Sequence, residues 1–94
     1  MNYIIETIIQ QINWPVLYFS GFQFIQIDGV TLRVHKAERN LDIRYNRGDD
    51  LYDLSKHTMR PDLTVKTEEI KGVYWDQLEG IIAEFFNTEA VDEL

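Results

Sequence analysis

Residues 22–35 constrain the fold most, because two alternating apolar and polar runs flank the pair Asp28 and Gly29. An Asp-Gly pair between such runs indicates a β-hairpin with a two-residue turn. In the register that places Ile27 opposite Val30, the aliphatic side chains share one face. The other face then carries a mixed set: Phe22, Phe24, Gln26, Thr31, Arg33 and His35. We expect the aliphatic face to meet helices and the mixed face to remain open to water or to a partner.

A helix is predicted at each end of the chain. Asn2 can cap the first helix, and Pro15 is expected to end it, because the residue before a proline avoids helical angles. Its apolar stripe has helical spacing: Ile5, Ile8, Ile9 and Ile12. The second helix is expected to begin near Val73 or Tyr74 and to end at Asn87 or Thr88. Its stripe is Tyr74, Leu78, Ile81, Ile82 and Phe85.

Three further strands are predicted between the hairpin and the last helix, at residues 41–45, 51–59 and 63–67. The predicted fold class is therefore α+β, with an antiparallel meander of four to five strands and both helices packed on one sheet face. Ninety-four residues suit a single domain over residues 1–94. Residues 89–94 are expected to form a frayed tail.

Composition excludes several classes of protein. There is no cysteine, so a disulfide scaffold, a thiolate zinc site and a thiol nucleophile are ruled out. Residues 1–12 lack the basic region of a signal peptide, and no apolar run approaches the ~20 residues that a membrane-spanning helix needs. We expect a protein of the cytoplasm that does not bind membranes.

Few residues suggest catalysis or metal binding. The run Asp49-Asp50-Leu51-Tyr52-Asp53 matches the magnesium-binding pattern DDxxD, but it lies at a predicted turn rather than on a helix. His35 and His57 are the only histidines, and both are interpreted as surface residues. No phosphate-binding loop and no nucleophile-elbow pattern occur. The sequence therefore predicts a protein that is not an enzyme and that holds no metal or cofactor.

Charge is divided unevenly along the chain. All nine Lys and Arg side chains lie in residues 29–71, whereas every charged side chain in residues 72–94 is acidic. The net charge of the chain is -7. Such a field attracts basic surfaces and repels phosphate. The predicted partner-binding residues are Asp76, Glu79, Glu84, Glu89, Asp92 and Glu93. An acidic helix of this kind could occupy the basic surface of another protein as a nucleic-acid mimic does.

Two alternatives use the mixed sheet face. Phe22 and Phe24 could stack the bases of a single-stranded nucleic acid beside Arg33 and Arg44. The net charge of -7 disfavours that partner, because it weakens attraction to phosphate. Homodimerisation through the same two phenylalanines is the other alternative, because an exposed aromatic sheet face suits a twofold interface.

Two short motifs suggest a family. The segment Asp50-Leu51-Tyr52-Asp53 and the later segment Gly72-Val73-Tyr74-x-Asp76-x-Leu78 resemble a group of short proteins encoded by phages and mobile elements. The likeness covers residues 41–86, while residues 22–36 and the acidic tail depart from it. The resemblance implies a setting, that of a phage or mobile-element accessory protein in a host cell, where small acidic proteins often inhibit host defence, as anti-CRISPR proteins do. We therefore expect a chain that binds a host protein and inhibits or modulates it without catalysis.

Overall fold

The computed structural model describes residues 2–87. Its five strands form one antiparallel sheet in the order β1-β2-β3-β4-β5, so each strand pairs with its neighbour in the chain. The helices are α1 (Tyr3–Gln11), α2 (Trp14–Phe19) and α3 (Leu78–Asn87), and a 3-10 turn at Trp75–Gln77 precedes α3. The strands are β1 (Gln23–Asp28), β2 (Thr31–Lys36), β3 (Arg39–Asn46), β4 (Leu51–Met59) and β5 (Val65–Val73). The predicted α+β meander with a helix at each end is confirmed.

The core lies between one face of the sheet and the helices. From α1, the residue that caps its end and α3, the core takes Ile5, Ile8, Ile12, Leu78 and Ile82, each at most 2% exposed. The sheet contributes Leu32, Val34, Leu41, Ile43 and Leu54, which alternate with outward-facing residues along their strands. The side chain of Asn2 caps α1 as predicted and also donates to the Gly29 carbonyl at 2.9 Å. This bond ties the start of α1 to the first hairpin.

The short helix α2 was not predicted. The first helix ends at Gln11, and Asn13 then adopts a left-handed conformation with φ 56°. Pro15 therefore lies in the first turn of a new helix, where its missing N–H leaves no hydrogen bond unmade. This helix leaves four large apolar side chains substantially exposed: Trp14, Val16, Tyr18 and Phe19.

The predicted register of the first hairpin is wrong by one residue. Phe24 pairs with Val34, Asp28 pairs with Thr31, and a bulge lies between Gln26 and Asp28. A shift of one residue exchanges the faces of a strand. Phe22 and Phe24 therefore lie on the helix-covered inner face rather than beside Arg33. Ile25 and Ile27 face outward instead and are 44% and 46% exposed.

Burial of the larger rings explains this register. The Phe22 ring lies 4.8 Å from the Phe86 ring in an edge-to-face arrangement, and the Lys36 ammonium lies 4.9 Å from its centroid. An aromatic ring removes more area from water than an isoleucine does, and its edge-to-face contacts add to that gain. Because β1 is an edge strand, the two displaced isoleucines lose only part of their own burial.

The connection from β5 to α3 also refines the prediction. Residue 63 was expected to begin the fifth strand, but Leu63 lies in a turn with φ 71°, and β5 runs from Val65 to Val73. Gly72 has φ 71° and lies within β5, where the pairing with β4 is irregular between Tyr52 and Leu54.

Candidate functional site: an aromatic groove

A groove of about 630 Å³ opens between α1, the β3–β4 turn and the junction of β5 with α3. Five aromatic side chains line it: Tyr3, Tyr45, Tyr52, Tyr74 and Trp75. We call it the aromatic groove. Its polar groups include Gln11 from α1, and Arg47 and Asp50 from the β3–β4 turn. The surface combines flat apolar rings with a few polar groups that can orient a ligand, as is typical of binding sites.

Hydrogen bonds fix the turn that forms one wall of the groove. The side chain of Asn46 accepts from the Gly48 N–H at 3.0 Å and donates to Asp53 at 3.2 Å. Asp50 adopts a left-handed conformation with φ 56°, and its carboxylate accepts from the Tyr45 hydroxyl at 2.5 Å. Acids of the DDxxD pattern therefore make contacts within this turn and at the start of β4. Among residues 2–87, no group of three or more acids and histidines could hold a metal ion.

The two motifs of the sequence meet at this groove. Tyr52 pairs with Val73 across β4 and β5, and the Asp53 carboxylate accepts from the Gly72 N–H at 3.3 Å. The Tyr74 N–H donates to the Gln77 side chain at 2.9 Å, which fixes the start of the 3-10 turn. These contacts place Tyr74 and Trp75 beside the Tyr52 end of β4. The two motifs therefore form one wall of the aromatic groove, although about 20 residues separate them in the sequence.

Two tyrosine hydroxyls inside the groove already have acceptors. The Tyr52 hydroxyl donates to Gln11 Oε1 at 2.5 Å, which links β4 to α1. Burial raises the pKa of Tyr52 to about 12, with smaller contributions from Tyr45 and Asp50. The hydrogen bond to the Asp50 carboxylate raises the pKa of Tyr45. Both phenols are therefore held neutral, and they act as fixed parts of the groove wall.

The raised pKa of Tyr52 makes stability depend on pH in the alkaline range. An unfolded tyrosine titrates near 10 and folded Tyr52 at about 12, so above pH ~10 the unfolded chain binds fewer protons than the folded one. The free energy of unfolding is therefore expected to fall as pH rises from about 10 to 12. Tyr52→Phe should make this fall shallower, because it removes the phenol whose pKa burial raises. Urea unfolding across this pH range measures the difference, and identical pH profiles for Tyr52→Phe and the wild type would contradict it.

The predicted acidic surface is only partly within the described residues. Asp76, Glu79 and Glu84 are exposed, while Glu89, Asp92 and Glu93 lie outside residues 2–87. Glu84 follows Glu79 by five positions on α3, which places the two residues about 140° apart around the helix axis. Glu79 lines a smaller groove of about 290 Å³ between α2 and α3. Asp76 instead directly follows Trp75 and lies next to the aromatic groove.

The central part of the outer sheet face, on β2, β3 and β4, is polar. Arg33 makes a bidentate pair with Asp42, with N–O distances of 2.7 and 3.0 Å, and Arg44 lies beside the same carboxylate in a shallow depression. Phe22 and Phe24 belong to the inner face, so the predicted combination of stacking rings with Arg33 and Arg44 is wrong. In the described strands, the residues that alternate outward with Arg33 and Asp42 include no Phe, Tyr or Trp.

The histidines make structural contacts on that face. His57 Nδ1 lies 3.1 Å from the Thr67 hydroxyl, and Nε2 lies 3.5 Å from Asp42. His35 Nδ1 lies 2.5 Å from the Asn40 side-chain oxygen. Ser55 lies two residues from His57 on the same face, but both ring nitrogens of that histidine already face other groups. The contacts of His57 are therefore those of a cross-strand network.

Comparison with protein-family models, with curated proteins and with solved structures gave no match. The fold and the site define the chain as a two-layer α+β protein with an aromatic groove at one end of its sheet. Of the helices described within residues 2–87, none has the length and apolar character needed to cross a membrane.

Sequence reasoning missed the groove because its rings come from four separate segments. Tyr3 was not singled out, and Trp75 was expected only at the margin of the apolar stripe of the last helix. Tyr74 was expected to belong to that stripe, yet it is 58% exposed. One signal was available in the composition. The chain has five tyrosines and two tryptophans, and of these only Tyr52 is among the buried core residues.

Proposed function

We propose that this chain is a binding protein that recognises another protein through the aromatic groove, without catalysing a reaction. The observation that carries the proposal is the exposure of three rings around one concave surface. Tyr3, Tyr74 and Trp75 are 81%, 58% and 61% exposed. Tyrosine and tryptophan dominate the residues whose removal weakens protein interfaces most, because each buries a large area with little loss of side-chain freedom.

The rigidity of the groove supports the same function. Its floor is held by the Tyr52–Gln11 and Tyr45–Asp50 hydrogen bonds, and its far wall by the Tyr74–Gln77 contact. A surface that is ordered before binding loses less entropy when the partner arrives. The exposed rings can therefore contribute most of their burial to affinity.

The charge around the groove favours a basic partner. Asp49 and Asp50 lie on the turn that forms one wall, and Asp76 follows Trp75 on the other. Arg47 is the basic residue among those that line the groove. Together with the net charge of -7, these acids would speed the approach of a basic surface and make the complex sensitive to salt.

The resemblance to phage and mobile-element proteins suggests a biological setting. In that setting the chain acts in the cytoplasm of the host cell, and the partner is a host protein whose basic surface it blocks. Inhibition of a host defence system, in the manner of anti-CRISPR proteins, is the form of this proposal with the most direct assay. The acidic residues of α3 then extend the contact beyond the groove.

The test compares the two tryptophans of the chain. Protein tagged after residue 94, away from Tyr3, is used to capture partners from a lysate of the host cell, and the captured protein is then purified and titrated. Trp75→Ala is expected to weaken binding by about 30-fold or more, because hot-spot truncations cost about 2 kcal/mol or more. Trp14→Ala, on α2 and outside the groove, should change binding by less than about twofold.

Charge reversal separates the groove from the acidic helix. If Glu79→Lys and Glu84→Lys abolish binding while Trp75→Ala leaves it intact, α3 alone is the binding surface and the groove mechanism is wrong. A groove that binds through its rings gives the opposite pattern. Circular dichroism of each variant confirms that the fold is retained.

A further inference from the structure

The two edges of the sheet differ in how they are protected against pairing with another strand. The β5 edge carries four charged side chains, namely Lys66, Glu68, Glu69 and Lys71. The β1 edge reads Gln-Phe-Ile-Gln-Ile and has no charge before Asp28. Natural sheets use charges on exposed edges to prevent such pairing, and an uncharged edge of β-forming residues promotes it.

The β1 edge exposes both unpaired backbone groups and apolar side chains. β1 pairs with β2 alone, so the backbone N–H and C=O groups of its other side face away from the sheet. Ile25 and Ile27 point outward from the same strand and are nearly half exposed. A second β-strand is the partner that satisfies such a row of backbone groups and covers the adjacent side chains.

We propose that β1 pairs antiparallel with β1 of a second copy of this chain, which joins the two five-stranded sheets across a twofold axis. The inference is independent of the aromatic groove, whose lining residues come from other elements. It also replaces the homodimer predicted from Phe22 and Phe24, because those rings are packed in the core of their own chain.

Charge favours a second copy at this edge over other self-contacts. Two molecules that each carry a net charge of -7 repel, so they approach best where neither places a charge. Pairing through β5 would require four charged side chains of each copy to lie at the contact, and pairing through α3 would place Glu79 of each copy near it. Residues 23–27 carry no charge, so the β1 edge avoids this cost.

Side-chain alternation restricts the register of the pairing. In an antiparallel pair, directly opposite residues point to the same face, so the continuous sheet requires odd residues to meet odd ones. The bulge between Gln26 and Asp28 interrupts this alternation, so the regular ladder is limited to residues 23–26, and a twofold axis at Ile25 sets the Ile25 side chains of the two copies opposite each other. These two isoleucines then cover each other on the outer face, and the two Asp28 carboxylates lie at opposite ends of the ladder.

The test uses the full chain and two matched variants. Ile25→Lys and Val65→Lys each place a lysine at a half-exposed, outward-facing, β-branched position on an edge strand, the first on β1 and the second on β5. Both variants change the net charge equally. Sedimentation velocity over a concentration series should show the wild-type mass rising from 11.2 kDa to twice that value. Ile25→Lys should raise the dissociation constant about tenfold or more, whereas Val65→Lys should leave it at or below the wild-type value.

Salt and hydrogen exchange provide further measurements. Added salt should strengthen the dimer, since screening reduces the repulsion between two acidic molecules. The amides of residues 23–28 should exchange more slowly at high protein concentration, while those of β5 should not change. A wild-type chain that stays at 11.2 kDa up to about millimolar concentration overturns the proposal. So does a dimer that Val65→Lys weakens as much as Ile25→Lys does.

Discussion

Phe22→Ala is expected to lower the free energy of unfolding by about 3 kcal/mol, within the range for removing a core phenylalanine. Phe22 is 9% exposed and packs against Phe86 and beneath the Lys36 ammonium. The matched control is Phe19→Ala, three residues earlier, because Phe19 is 84% exposed. Its loss should change stability by less than about 0.5 kcal/mol, as expected of a surface substitution.

Urea unfolding followed by circular dichroism measures both variants, at protein concentrations low enough to keep the chain monomeric. The comparison also tests the register of the first hairpin. In the opposite register Ile25 would be buried and Phe24 exposed, so Ile25→Ala would cost more than Phe24→Ala. That order of costs, or equal stability of Phe22→Ala and Phe19→Ala, would refute the pairing of β1 described above.

Ile8→Ala should lower the free energy of unfolding by a similar amount, about 3 kcal/mol, since Ile8 is fully buried between α1 and the sheet. The control is Ile9→Ala on the same helix, because Ile9 only borders the core. Both substitutions gain the same helix propensity, so the difference between them reports burial alone. A domain of this size has a stability of roughly 5–10 kcal/mol, so the loss should be evident at physiological temperature.

Thermal and urea unfolding measure the difference in stability between Ile8→Ala and Ile9→Ala. A shift of several degrees is expected for each kcal/mol lost in a domain of this length. The slope of the urea transition should stay the same, because the surface exposed on unfolding is unchanged. If Ile8→Ala and Ile9→Ala proved equally stable, α1 would not be packed on the sheet as described.

Local patterns predicted most of the fold. Asn2 and the isoleucine stripe predicted α1. The pattern of residues 51–59 predicted β4 with the bounds observed. The hairpin register was missed because the sequence does not mark the bulge between Gln26 and Asp28, which shifts the pairing by one residue and exchanges the faces of residues 23–26. The shifted register lets Phe22 pack against Phe86, which is 64 residues away and meets it only in the folded chain.

The candidate site was much less predictable than the fold. Each wall of the groove belongs to a different segment, and only the pairing of Tyr52 with Val73 brings the two motifs together. The charge pattern directed attention to α3, where Glu79 and Glu84 point in different directions. Surface rings such as Tyr3 and Trp75 give no periodic signal, since exposed positions do not have to repeat with the period of a helix or strand.

The order of the strands has a consequence for how the chain folds. Every ladder joins consecutive strands, and the connections between them are two to five residues long. Closing such short loops costs little chain entropy, so each hairpin can nucleate without waiting for a distant segment. A sequence change that disrupts one turn should therefore slow folding only slightly, because nucleation can start at another hairpin and spread along the chain.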